Sequence, residues 1–171
     1  ITGQSNSRTG WSVASAGDVN GDGYADVIIG AERYDSNTGE AYVCHGSLAG
    51  LGCSGGAGIQ TNYADWSIPG EAESDYFGNS VAGAGDVNGD GYADVVVGAY
   101  KNGAGGKVYV WYGSSTGLSD GDDASDADWS ITAEASGDEF GESVASAGDV
   151  NGDGYDDVIV GARYNDDVAG S

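Results

Sequence analysis

Three times along the chain a nine-residue run of acids, amides and glycines recurs. It reads Asp-Val-Asn-Gly-Asp-Gly-Tyr-Ala-Asp from Asp18 to Asp26 and again from Asp86 to Asp94, and Asp-Val-Asn-Gly-Asp-Gly-Tyr-Asp-Asp from Asp149 to Asp157. Oxygen-bearing side chains fall at positions 1, 3, 5 and 9: Asp18, Asn20, Asp22 and Asp26; Asp86, Asn88, Asp90 and Asp94; Asp149, Asn151, Asp153 and Asp157. Alternate residues of a curled loop can point at one centre. The glycine at position 6 (Gly23, Gly91, Gly154) permits the sharp turn, and position 7 (Tyr24, Tyr92, Tyr155) would add a backbone carbonyl. About six or seven hard oxygen donors suit Ca²⁺ better than Mg²⁺, which prefers to keep its waters. The plain alternative is an Asp/Asn/Gly turn with no metal. Against it stand the threefold recurrence and the repulsion among converging carboxylates without a cation. Three calcium ions are expected, each structural, with a binding free energy that adds to folding.

The loops are not EF-hands. That motif needs a bidentate glutamate at position 12 and a helix on either side. Here position 12 is Ile29, Val97 or Val160, and the flanks are β-branched runs. Each loop is expected to span a β-hairpin.

The similarity extends outward from the loops and defines the elements that must hold them. Upstream lie Gly10-Trp11-Ser12-Val13-Ala14, then Phe77-Gly78-Asn79-Ser80-Val81-Ala82 and Phe140-Gly141-Glu142-Ser143-Val144-Ala145; downstream, AYVCHGS (41–47) matches VYVWYGS (108–114) and ADWSI (64–68) matches ADWSI (127–131). Each unit reads as four short strands: one near SVASAG (12–17), one after the acidic loop such as ADVIIGA (25–31), one at AYVCHG or VYVWYG, and one centred on Trp66 or Trp129. No stretch has a helical period with caps, so almost no helix is expected. Four antiparallel strands in roughly 60 residues is the arithmetic of a β-propeller blade, with a solenoid or β-sandwich as the runner-up. The predicted fold is all-β. Residues 1–4 end a preceding blade's outer strand, 5–69 form one blade, 70–132 a second, and 133–171 the first half of a third. A ring of 4–8 blades is then completed by a longer chain or by other copies.

Composition narrows the function. The formal charge is −23, from 28 acidic and 5 basic side chains, which repels nucleic acid and anionic membranes. No apolar run is long enough to span a membrane. Glycine accounts for 33 residues with no collagen triplet, so it serves turns. The only cysteines, Cys44 and Cys53, fit neither a zinc pattern nor a disulfide scaffold. A single disulfide between them would pin the glycine-rich connection at 50–58. The lone histidine, His45, aligns with Tyr112 at a strand position and is read as packing. The acidic linker from Asp120 to Asp128 is read as a solvated loop that could hold a further ion. Trp11, Trp66, Trp111 and Trp129 are read as blade packing, with any exposed ring able to stack on a sugar. No catalytic group stands out.

These motifs resemble the FG-GAP repeat of integrin α-subunit propellers and related proteins. The Phe-Gly element is Phe77-Gly78 and Phe140-Gly141, with Thr9-Gly10 departing in the first copy. The second element is Gly30-Ala31-Glu32, Gly98-Ala99-Tyr100 and Gly161-Ala162-Arg163, without the usual proline, which points to a divergent, prokaryotic relative. The resemblance implies calcium loops on one face of the propeller and binding surfaces on the other. It further implies an extracellular, secreted or cell-surface, non-enzymatic module for adhesion or for recognition of a protein or carbohydrate. A purely structural role, or an accessory domain of a polysaccharide-active enzyme, are the alternatives.

Overall fold

Strand-forming runs bounded by glycine become short antiparallel strands in a computed structural model that describes residues 6–55 and 58–165. In the first unit these are β1 (Ser12–Gly17), β2 (Asp26–Ala31) and β3 (Glu40–Cys44), then the two-residue pair β4 (Ser54–Gly55) and β5 (Gly58–Ile59), then β6 (Trp66–Pro69). The second unit has β7 (Ser80–Gly85), β8 (Asp94–Ala99), β9 (Lys107–Trp111) and β10 (Trp129–Thr132); the third has β11 (Phe140–Gly148) and β12 (Asp157–Ala162). The sheets run β1-β2-β3-β6 and β7-β8-β9-β10, with β11 paired to β12. Pairing is antiparallel and in the same register in each unit: Val13 faces Ile29, Val81 faces Val97, and Val144 faces Val160. The chain is therefore built of consecutive propeller blades. Pro69, which lacks a backbone donor, lies at the end of the outer strand β6, where a missing donor breaks no ladder.

Among the described residues, helical content is confined to single turns. Tyr34–Asn37 is a turn in which Asp35, Ser36 and Asn37 take positive φ, and Thr61–Tyr63 and Ala124–Asp126 are 3₁₀ turns. The reading of residues 1–4 as an outer-strand remnant falls outside the described residues, as does the chain after Asn165.

Adjacent blades bury the surfaces they share. The seam between the first two blades holds Ile28, Val43, Trp66 and Ile68 from one side and Val81, Val95, Val97, Phe77, Tyr109 and Trp111 from the other. Trp66 meets Trp111 edge-on at 5.3 Å, and the Trp66 indole N–H donates to the Ser119 carbonyl at 2.9 Å. The second seam joins Val96, Val108 and Val110 to Val144, Val158 and Val160. Because β8 lies between two neighbours, all six of its residues are buried. Two tryptophans depart from the packing expectation: Trp11 is 58% exposed and Trp129 42%.

The seams explain the paired Phe-Gly and Gly-Ala elements. The Phe77 amide donates to the Thr38 carbonyl of the preceding blade, and that of Phe140 to Gly105. The next residue's carbonyl then presses on the preceding blade's glycine: a Cβ on Gly30 would stand 2.0 Å from the Gly78 oxygen, and one on Gly98 would stand 2.1 Å from that of Gly141. Only a residue without a Cβ admits this approach.

Candidate metal loops

The three acidic runs join β1 to β2, β7 to β8 and β11 to β12, so they lie at one end of the blades. Side chains hold each loop's backbone. In the first, the Asp18 carboxylate accepts the amides of Asp22 (3.0 Å) and Gly23 (2.8 Å). The Asn20 side-chain oxygen accepts Asp22 N (3.0 Å), and Asp22 accepts Tyr24 N (2.9 Å). The second loop repeats this with Asp86, Asn88 and Asp90, and the third with Asp149, Asn151 and Asp153. Three backbone N–H groups, through four hydrogen bonds, thus fix positions 1, 3 and 5 in one arrangement three times over. In the third loop these N–H groups, Gly154 foremost, hold the Asp149 carboxyl below its ordinary range.

Position 9 is built differently. The Asp26 carboxylate accepts Val19 N (2.8 Å) and Gly46 N (2.7 Å); that of Asp94 accepts Val87 N (2.7 Å) and Gly113 N (2.8 Å). These two aspartates are buried. They tie the base of the loop to the chain leaving the third strand. Asp157 accepts Val150 N at 3.0 Å. Burial pushes the Asp94 carboxyl up to about 6, with the Asp90 and Asp86 charges adding to the rise, and burial likewise raises Asp26.

Among the described residues no three His, Cys, Asp or Glu side chains stand close enough to hold a metal by themselves. The donor set nonetheless suits a hard cation. Every side-chain donor at positions 1, 3, 5 and 9 is oxygen, and a carboxylate oxygen that accepts one N–H retains a further lone pair. No lysine or arginine lies there; the one basic ring near a loop is that of His45, 3.9 Å from the Asp65 carboxylate. All five basic side chains pair with glutamates reached from the opposite ends of the strands: Arg8 with Glu32 (2.7 Å), Arg33 with Glu32 (3.7 Å), Lys101 with Glu139, Lys107 with Glu71 (2.6 Å) and Arg163 with Glu142 (2.9 Å).

Neighbouring loops touch. The Ala93 amide donates to the Asp18 carbonyl (3.1 Å) and the Asp156 amide to the Asp86 carbonyl (3.0 Å). In the second seam alone a carboxylate joins in: Asp156 accepts the Asp86 amide at 2.9 Å. The rings of Tyr92 and Tyr155 lie over Gly21 and Gly89, where an added Cβ would come within 2.5 Å of them.

Cys44 and Cys53 are bridged, with Cα atoms 5.5 Å apart. His45 is half-buried against Gly117, and its amide donates to the Asp65 carboxylate. Asp128 repeats that role by accepting Tyr112 N at 2.8 Å. Sequence reasoning missed both aspartates, although the shared ADWSI run was their signal. The acidic linker is tethered by its own carboxylates, Asp126 accepting Asp122 N and Asp123 accepting Ser125 N, and it buries Ala124 in the seam.

At the end opposite the loops, a cavity of about 330 Å³ is lined by Trp11, Glu32, Asn79, Tyr100, Lys101, Glu139, Glu142, Arg163 and Tyr164. Its rim carries the exposed rings of Trp11 and Tyr164, over which Arg8 and Arg163 stack at 4.6 and 5.0 Å.

A family model described as FG-GAP repeat matches residues 9–44, 77–111 and 140–171. The chain is 32% identical over 164 residues to integrin alpha-6 of Gallus gallus, covering 91% of the chain and 13% of that protein. It is 36% identical to integrin alpha-7 of Rattus norvegicus over 158 residues and 36% identical to that of Homo sapiens over 161, each alignment covering 90% of the chain and 12% of the relative. The chain thus spans about an eighth of the length of these relatives.

Proposed function

This chain belongs to the FG-GAP repeat family, and from that membership we propose that it is a calcium-stabilised segment of an extracellular β-propeller serving adhesion or recognition, with no catalytic role. Its remaining blades come from a longer chain. The observation that carries the calcium reading is the separation of charge. Three loops of carboxylates lie at one end, while every Lys and Arg is committed to a glutamate at the other. Asp18, Asn20, Asp22 and Asp26, with their counterparts Asp86, Asn88, Asp90 and Asp94 and Asp149, Asn151, Asp153 and Asp157, would hold one Ca²⁺ per loop, joined by the carbonyls of Tyr24, Tyr92 and Tyr155. Bound calcium supplies the missing positive charge. The residues do the rest: N–H groups orient the carboxylates, and the position-9 aspartates couple each loop to its sheet.

The extracellular assignment draws on the Cys44–Cys53 bridge, a bond favoured in oxidising compartments. Among the described residues no helix is long and apolar enough to cross a membrane. The recognition surface is the end carrying the cavity, where exposed aromatic rings and paired charges offer both stacking and hydrogen bonds to a protein or a carbohydrate. Thermal unfolding in millimolar calcium and in EDTA tests the metal. An increase in Tm of about 10 °C with calcium is expected, and superimposable curves would contradict it. A glycan array probed in calcium separates the ligand classes: saccharide binding abolished by Trp11→Ala supports a sugar site, and no binding leaves a protein partner as the reading.

A further inference from the structure

We propose that the three metal loops form a coupled row, in which the first and second loops are each completed by the loop of the next blade, and that Asp156 makes the second junction the stronger of the two. This rests on the calcium reading above and adds to it a dependence of one site on another. Positions 7 and 8 of one loop are the contacts. Tyr92 covers Gly21 at position 4 of the first loop, and the Ala93 amide donates to the carbonyl of Asp18 at position 1. Tyr155 covers Gly89, and the Asp156 amide donates to the carbonyl of Asp86.

These contacts fall on the ligand-bearing backbone itself. Position 1 carries a carboxylate that accepts two N–H groups in the first loop and three in the second and third, and position 7 of the second and third loops is both the expected carbonyl donor of its own loop and the lid on its neighbour. A cation that fixes position 7 in one loop therefore fixes the ring resting on the other. Binding free energies must then be linked in both directions.

The two junctions differ by one side chain. At the first, Ala93 presents a methyl to Gly17; at the second, the Asp156 carboxylate accepts the Asp86 amide at 2.9 Å and occupies the space that a Cβ on Gly85 would need. A charge-assisted bond across the second seam adds both rigidity and a negative charge beside the second site.

The test follows the amide NMR signals of Gly23, Gly91 and Gly154, each donated to its own loop's position-1 carboxylate, as calcium is added to the full chain. With Asp153→Ala the third loop should fail to saturate, and the half-saturation point of the second should rise about fivefold or more, with a smaller change at the first. With Asp156→Ala the second and third loops should both weaken several-fold while the first holds its wild-type value. Asp156→Asn, which keeps an acceptor, should recover part of the loss. Unchanged midpoints at the second loop in both variants would overturn the coupling, as would equal weakening of all three loops by Asp156→Ala. Wild-type signals that ignore calcium altogether would instead sink the calcium reading itself.

Discussion

Asp94 and Asp26 hold the fold together at the positions where the proposed site would use them. Each accepts two backbone N–H groups, one from its loop and one from the chain leaving the third strand. Replacing Asp26 by Ala leaves the Val19 and Gly46 amides without their acceptor. A loss of about 2–4 kcal/mol in urea unfolding is expected even without calcium, because buried donors left unpaired keep their desolvation cost. A ligand with no structural role would show its loss only in calcium. Protonation offers a second check. The folded carboxyl of Asp94 titrates at about 6 against an ordinary 3.8, so between those values the folded chain binds more protons than the unfolded one. Stability of the calcium-free chain must therefore fall as pH rises through that window. The chelated protein should melt higher near pH 5 than near pH 7, and calcium, which binds the ionised form, should reverse the order. The same trend in chelator and in calcium would contradict this.

At the scale of the element, the blade was legible because period-2 β-branched runs, glycine punctuation and the repeat all agree. The strands SVASAG and ADVIIGA became β1 and β2 within a residue, and the Trp66 and Trp129 runs became outer strands. What was hidden is contact between repeats. Nothing in one repeat says that the Gly78 carbonyl presses on Gly30, that Tyr92 covers Gly21, or that Trp11 stays exposed while Trp111 is buried. Those facts depend on how blades stack, which sequence spacing does not encode. The positions bearing on loop geometry were visible; the N–H partners that distinguish position 9 from positions 1, 3 and 5 were not. The close approach makes its own demand. Gly98→Ala should destabilise the chain by about 1–3 kcal/mol in denaturant unfolding, since its Cβ would stand 2.1 Å from the Gly141 oxygen. The cost should be the same with and without calcium, because Gly98 lies at the end of β8 remote from the loop, which enters the strand at Asp94. Opening the Cys44–Cys53 loop by Cys53→Ser should cost about 2–3 kcal/mol through the entropy regained by the unfolded chain, read the same way.

Across the whole molecule the governing feature is polarity. A chain of net charge −23 gathers uncompensated aspartates at one end and its few cations, each paired with glutamate and several stacked on aromatic rings, at the other. The end proposed to hold metal and the end proposed for recognition are joined by the packed seams between blades. The direct test of the central claim is a count of calcium ions by native mass spectrometry of the chain exchanged into volatile buffer with limiting calcium. Three ions per chain in the wild type, and loss of one specific ion with Asp22→Ala, are expected. A chain that keeps no ion, or one whose ion count is indifferent to Asp22, would contradict the account.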